Sequence, residues 1–287
     1  MRTTRTVALL LLAAMPGHLR AQDMGDMGGM GHQAGATAAR PPADSLRTTT
    51  QVRAYLASVP AGEIPDLSGL DLSGLDLRKV DFRKANLTGS RLAGAKLDEA
   101  DLFACDLTDA VASDASFEHA NLDGTTLRRA DLRRAKLHQA SLFATIVEET
   151  DLREADLRET RIIGYLRKAK LVGANLAHAN IGADPGNQSM GVMRATFVGA
   201  DLTGADLTGA NLFKADFSFA SLVGAKLAGA DLSNADLVQA DFSRADVTGV
   251  DLKFADLNGA SFSGAIGVAT LKGLAQARNR DRASFDH

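Results

Sequence analysis

The stretch ADLTGADLTGANLFKADF, residues 200–217, decides the fold. Within it Leu202, Leu207, Leu212 and Phe217 recur at intervals of five. On an α-helix five residues advance about 140° past a full turn, so these side chains would spiral around the rod rather than share a face. On a straight strand an odd step sends successive side chains to opposite faces. Every centre can be buried only if the chain turns a corner once per block. Glycine two residues after the centre, as at Gly204 and Gly209, suits such a turn.

Outward from this stretch the rhythm covers most of the chain. Centres run from Leu67 to Ile162, slip back by one residue, and resume at Leu166, Leu171, Leu176 and Ile181. Residues 182–194 interrupt them, and they return from Phe197 to Phe262. Of 38 blocks, 37 have Leu, Phe, Ile or Val at the centre, and Ala112 is the exception, so chance does not explain the register. Ala is preferred two residues before the centre, where Cys105 also falls. That position makes Cys105 a buried small residue rather than a reactive thiol. Asp or Asn recurs just before the centre, as in Asp101, Asp131, Asn175 and Asn211.

These blocks resemble the A-(D/N)-L-X-X units of the pentapeptide-repeat family over residues 65–266. The resemblance implies an all-β fold, a right-handed quadrilateral β-helix with four blocks per coil and short helical caps. Residues 20 apart then stack, at roughly 4.8 Å per coil. The stacking places Arg128 on Glu148 and Arg129 on Glu149, with Arg167 and Lys168 next on the same glutamates, and Arg134 on Glu154. Opposite charges in these ladders support four blocks per coil independently. Arg133 over Arg153 and His138 over Arg158 remain unpaired in this scheme, which makes those four the candidates for holding an anion. In the family the C-terminal end often mediates dimerisation, and the sequence leaves that open here.

The flanks read differently. Arg2 and Arg5 precede the short apolar run Val7–Met15, with cleavage expected after Ala21, so residues 1–21 are read as a signal peptide and the mature chain as periplasmic or secreted. Nine apolar residues are too few to span a bilayer, and no longer apolar stretch follows. Residues 22–44 are rich in Gly, Ala and Met and are read as a disordered linker. Residues 45–64 are the N-terminal cap, with a helix over 45–59 capped by Ser45 and ended by Pro60 and Gly62. Residues 267–287 are read as a C-terminal cap and a solvated basic tail containing Arg278, Arg280 and Arg282.

The composition fits a narrow core built from one small part: 5% aromatic residues and no Trp, against 45% hydrophobic residues. The net charge of −3 forces neither a nucleic-acid nor a membrane partner. One cysteine excludes an intrachain disulfide. No nucleophile elbow, phosphate loop or metal-spaced His/Cys cluster occurs, so no enzyme activity and no resident cofactor are expected. The resulting expectation is an exported scaffold that binds a protein. Its candidate surface is an outward column in which Phe103, Phe143, Ile163 and Phe213 stack, beside the loop 182–194. Two alternatives stand beside it. Met24, Met27, Met30 and His32 offer soft ligands suited to Cu(I). The family also includes quinolone-resistance proteins that mimic DNA and protect topoisomerases, and residues 66–262 hold 29 acidic against 22 basic residues. Export argues against that second role, and no nucleic-acid partner is expected.

Overall fold

A computed structural model describes residues 35–42, 45–183 and 194–285. The chain divides into two compact units, Met1–Gly35 and Ala36–His287, and the residues read as a signal peptide, most of those read as a linker and residues 184–193 lie outside the described residues.

The second unit is a four-sided β-helix. Four ladders of parallel bridges run along it. The first side begins Asp66, Asn86, Asp106, Thr126; the second Asp71, Arg91, Val111, Asp131; the third Asp76, Lys96, Ser116, Lys136; the fourth Asp81, Asp101, Asn121, Ser141. Partners are 20 residues apart in these coils, as expected from four blocks per turn. All 38 block centres are buried, none more than 1% exposed, and the Ala positions line the same core. Phenylalanines in neighbouring coils stack face to face, Phe197 on Phe217 at 4.7 Å and Phe242 on Phe262 at 4.9 Å.

A single block shows why the motif has its composition. In Asp101–Leu102–Phe103–Ala104–Cys105, the Asp101 N–H donates to Val80 O of the preceding coil, at 2.9 Å. Leu102 and Ala104 donate forward to Asn121 O and Asp123 O. Cys105 N–H closes the turn onto Leu102 O at 3.0 Å. The remaining N–H, that of Phe103, is taken by the Asp101 carboxylate at 3.1 Å. All five backbone donors of the block are therefore satisfied, the last only because Asp or Asn precedes the centre. The same bond recurs at Asp66, Asp81, Asn121, Asn175, Asp201 and Asp231.

In all blocks but those of Ile162 and Ile181 the residue two after the centre has positive φ, the third position of a type II turn. Glycine fills it at Gly204 (φ 66°), but Glu99, Ala104, Phe219 and Phe254 adopt it too. The turn bond and the forward bond to the next coil impose the left-handed conformation even where it costs roughly 1–2 kcal/mol per residue.

The one-residue slip sits at a fourth-side corner. β1 (Ser141–Ile146) pairs in parallel with β2 (Arg161–Tyr165), with Phe143 opposite Ile163 and Thr145 opposite Gly164, so Ala144 is bulged. Between Arg161 and Tyr165 no residue has positive φ, so β2 stays extended through the corner. A side chain at Gly164 would overlap Thr145, so glycine is required there.

Both ends depart from expectation. α1 spans Thr49–Ser58, and Thr48, not Ser45, is its cap. It lies over the first coil, with Val52 fully buried. Thr49 Oγ1, Arg53 Nη2 and Tyr55 Oη donate to the carbonyls of Asp76, Arg78 and Asp66. In later coils such carbonyls accept N–H groups from the coil before; here side chains of α1 take that place. Thr37, within the stretch read as disordered linker, bridges to Ile64, and Ala38 is buried. At the other end the cap, made of short 3-10 turns with Val268, Leu271 and Leu274 packed on the core, prolongs the coil instead of leaving a free tail. Ile266, Lys272, Arg278 and Ser284, six residues apart, bridge to Asp246, Asp251, Asp256 and Ser261 and continue the coil. Three short 3-10 turns at Val268–Thr270, Leu274–Gln276 and Arg280–Arg282 take up the extra residue on each side. β4 (Ser284–Phe285) pairs with β3 (Ser261–Phe262), and Phe285 stacks on Phe262 at 4.9 Å.

Replacing Asp231 by Ala leaves the Ser233 N–H without its acceptor and should cost about 1 kcal/mol, whereas Asp231→Asn should be nearly neutral. Gly204→Ala, at a position where a Cβ meets nothing, should cost about 1–2 kcal/mol through the backbone alone. Urea denaturation of the three variants checks both statements.

Candidate partner-binding faces

The outward column of the fourth side exists as a stack. Backbone bonds link Lys84 to Phe103, Ala104 to Asp123, Gly124 to Phe143 and Ala183 to Phe213. Its side chains do not form one apolar stripe. Phe103 is 42% exposed, while Phe143 and Phe213 are half-buried. Arg161 lies over the Phe143 ring at 4.5 Å, and Lys214 over Phe213 at 5.1 Å. Ile163 is buried rather than exposed, opposite Phe143 in the paired strands, so it offers no outward contact surface.

Two exposed aromatics escaped the sequence reading, Phe219 and Phe254. Both occupy the positive-φ turn position, where glycine was the expected occupant. Their signal in the sequence was a bulky residue in a slot that turn chemistry reserves for small ones. Phe254 borders a shallow groove of about 560 Å³ with Arg194, Lys214, Asn234, Asp236 and Arg278. Arg194 bridges Asp236 at 2.5 Å and Asp216 at 3.3 Å, and Arg278 reaches Asp236 at 3.3 Å. Arg278, expected in a solvated tail, is thus tied to the solenoid.

The basic cluster is paired more thoroughly than stacking alone suggested. Arg128 meets Glu148 at 2.9 Å as expected. Arg129 and Arg134 pair one coil in the other direction, with Asp109 and Asp114, both at 2.7 Å. The four residues expected to be unpaired are not. Arg133, Arg153 and Arg158 each grip the aspartate two residues earlier in their own block, Asp131, Asp151 and Asp156, at 2.6 Å. His138 Nε2 lies 3.6 Å from Glu159. A search only along the stack overlooked this pairing within the block, which puts the arginine fork over both carboxylate oxygens.

Cys105 is fully buried, its thiol 3.0 Å from Phe82 O, and burial pushes its pKa far up, so it is no nucleophile. Among the described residues no three His, Cys, Asp or Glu side chains are placed to hold a metal ion, and no helix is long and apolar enough to cross a membrane. Met24, Met27, Met30 and His32 lie outside the described residues.

Comparison with known proteins follows the same pattern. The family model "Pentapeptide repeats" matches in eight copies over residues 66–102, 105–142, 193–227 and 225–264, about half of the chain. The chain belongs to the pentapeptide-repeat family. Its fold is the right-handed quadrilateral β-helix of that family. Among solved structures, this pentapeptide-repeat protein is similar to HetL, a protein involved in heterocyst differentiation regulation from the cyanobacterium Nostoc, at 29% identity over 79% of this chain and 94% of HetL, with a TM-score of 0.40. It is similar to a pentapeptide repeat protein of the Arabidopsis thaliana thylakoid lumen at 32% identity, over 33% of this chain and 66% of that one, with a TM-score of 0.33. QnrB1, a plasmid-mediated fluoroquinolone resistance protein, matches at 19% identity over 72% of this chain and 91% of its own, with a TM-score of 0.34. No curated protein matches.

The aspartates of the repeat set an acid limit. The Arg83 guanidinium holds Asp81 below the usual carboxylate range, and Arg133 does the same for Asp131. Hydrogen bonds from Thr248 lower Asp246, and Arg78 brings Asp76 down to about 2. A carboxylate whose pKa is lower folded than unfolded stabilises the fold above its unfolded pKa, and that gain is lost as pH falls through the folded value. The urea midpoint should therefore be level from pH 7 to pH 5 and fall between about pH 4 and pH 2.

Proposed function

We propose that this pentapeptide-repeat protein is an exported, non-catalytic scaffold that binds a protein partner along its fourth side. The observation that carries the reading is the series Phe103, Phe143 and Phe213 held at fixed coil positions, with Phe254 at the adjoining corner. Aromatics held on a rigid lattice, exposed or half-exposed, present contact area with little conformational entropy left to lose on binding. The cations over Phe143 and Phe213 add charged contacts around the rings. Export rests on the apolar run behind Arg2 and Arg5.

Two measurements test the reading. Phe103, Phe143 and Phe213 replaced together by Ala should weaken a partner captured from an envelope extract at least tenfold, with the thermal midpoint little changed. Unchanged capture removes the fourth side as the binding surface. Cell fractionation should place the mature chain, starting near Gln22, outside the cytoplasm; a cytoplasmic chain that keeps Met1 rejects export.

A further inference from the structure

Four successive coils of the first side carry outward pairs of alternating sign: Thr108 and Asp109, Arg128 and Arg129, Glu148 and Glu149, Arg167 and Lys168. Backbone bonds fix their stacking, from Asp109 to Arg128, Arg129 to Glu148 and Glu149 to Arg167, each 3.0–3.1 Å. Arg128 pairs with Glu148 and Arg129 with Asp109 within the chain. Glu149, Arg167 and Lys168 are exposed and form no ion pair among the described residues. The coils flanking the bands carry small outward residues, Thr88 and Gly89 before them and Val198 and Gly199 after them.

We propose that this side is a self-complementary interface for a second copy of the chain, laid antiparallel. A twofold axis lying in the face and crossing it between the Arg128–Arg129 and Glu148–Glu149 coils keeps each column opposite itself and reverses the order of coils. It sets Arg128 opposite Glu148 of the second copy, Arg129 opposite Glu149, and Lys168 opposite Asp109. Thr126 then faces Ile146, and the pairs Thr88–Gly89 and Val198–Gly199 meet each other. Every charged band meets the opposite sign, twice over by symmetry.

Registers with the axis on a coil fail electrostatically, and those with it between other neighbouring coils match fewer bands. Moving the axis onto the Glu148–Glu149 coil puts those glutamates against each other and the arginines of coil four against Arg167 and Lys168. A parallel arrangement puts every band against its like. Charge order thus favours the register that matches the most bands, as interface charges generally select partners more than they add affinity. The bands span only about 19 Å along the rod, so a reversible, salt-sensitive dimer is expected rather than an obligate one. This surface is separate from the fourth side, so failure of one reading leaves the other standing.

Sedimentation velocity on the full chain tests the proposal. At 50 mM NaCl the wild type should dimerise with concentration, and 500 mM NaCl should weaken association at least about tenfold. Two variants test the face: Glu148→Arg with Glu149→Arg, and Arg128→Glu with Arg129→Glu. Each should be monomeric alone, and a one-to-one mixture should form a heterodimer, because the all-positive bands of one then face the all-negative bands of the other. The mixture's association shows that neither variant lost its fold, and circular dichroism checks each alone. A wild type that stays monomeric at low salt, a dimer that survives both charge reversals, or variants that are folded but do not associate when mixed would overturn the proposal.

Discussion

Five backbone N–H groups per block, each needing an acceptor while the chain bends through a corner, are what the structure depends on. Two go forward to the next coil, one goes back to the previous coil, one closes the turn, and the fifth goes to the side chain before the centre. Burial of Leu and Phe supplies the drive to collapse. The complete hydrogen-bond lattice is what lets a chain with so few aromatic residues keep a dry core only two side chains across. It also explains an acidic composition that would otherwise look functional. Asp81, Asp131 and Asp246 are turn acceptors first and surface charges second.

The same lattice makes its own ends the weak points. A coil with nothing before it leaves carbonyls unpaired, and α1 meets that need with Thr49, Arg53 and Tyr55 rather than with backbone. At the far end the coil is prolonged by six-residue sides whose 3-10 turns start at Gly267, Gly273 and Asn279, all with positive φ. Val268, Leu271 and Leu274 pack against the core from these turns, and Phe285 closes the phenylalanine stack. One residue more per side is tolerated as readily as the one residue fewer at β2, because inter-coil bonds flank the corner on both sides and a corner can stretch or flatten between them.

A lattice this regular turns sequence position into surface position. Sides differ only in what the outward positions hold, so function has to be sought in departures from the average block. The fourth side departs through phenylalanines at Phe103, Phe143 and Phe213. The first departs through paired charges that change sign from coil to coil, and the C-terminal coils through Arg194 and Arg278 on a row of aspartates. Within the chain the alternating signs favour correct stacking over a slipped register, since a slip of one coil would bring like charges together.

The period of five determined the corner, the burial of every centre and the 20-residue stack, because no helix or flat strand can bury a residue at that spacing. The buried state of Cys105 followed from its place two before a centre. Tertiary structure alone decided which of two stacked carboxylates each arginine takes, as with Arg129 and Asp109, since both lie one coil away and rotamers choose between them. It decided that Arg133, Arg153 and Arg158 turn back to their own blocks, and that Ile163 is buried. It decided too that residues beyond Ile266 keep coiling at a period of six. A repeat fixes what is common to all its copies through backbone geometry. Ends, slips and side-chain pairings depend on neighbours that are distant in sequence, and those exist only once the coils are stacked.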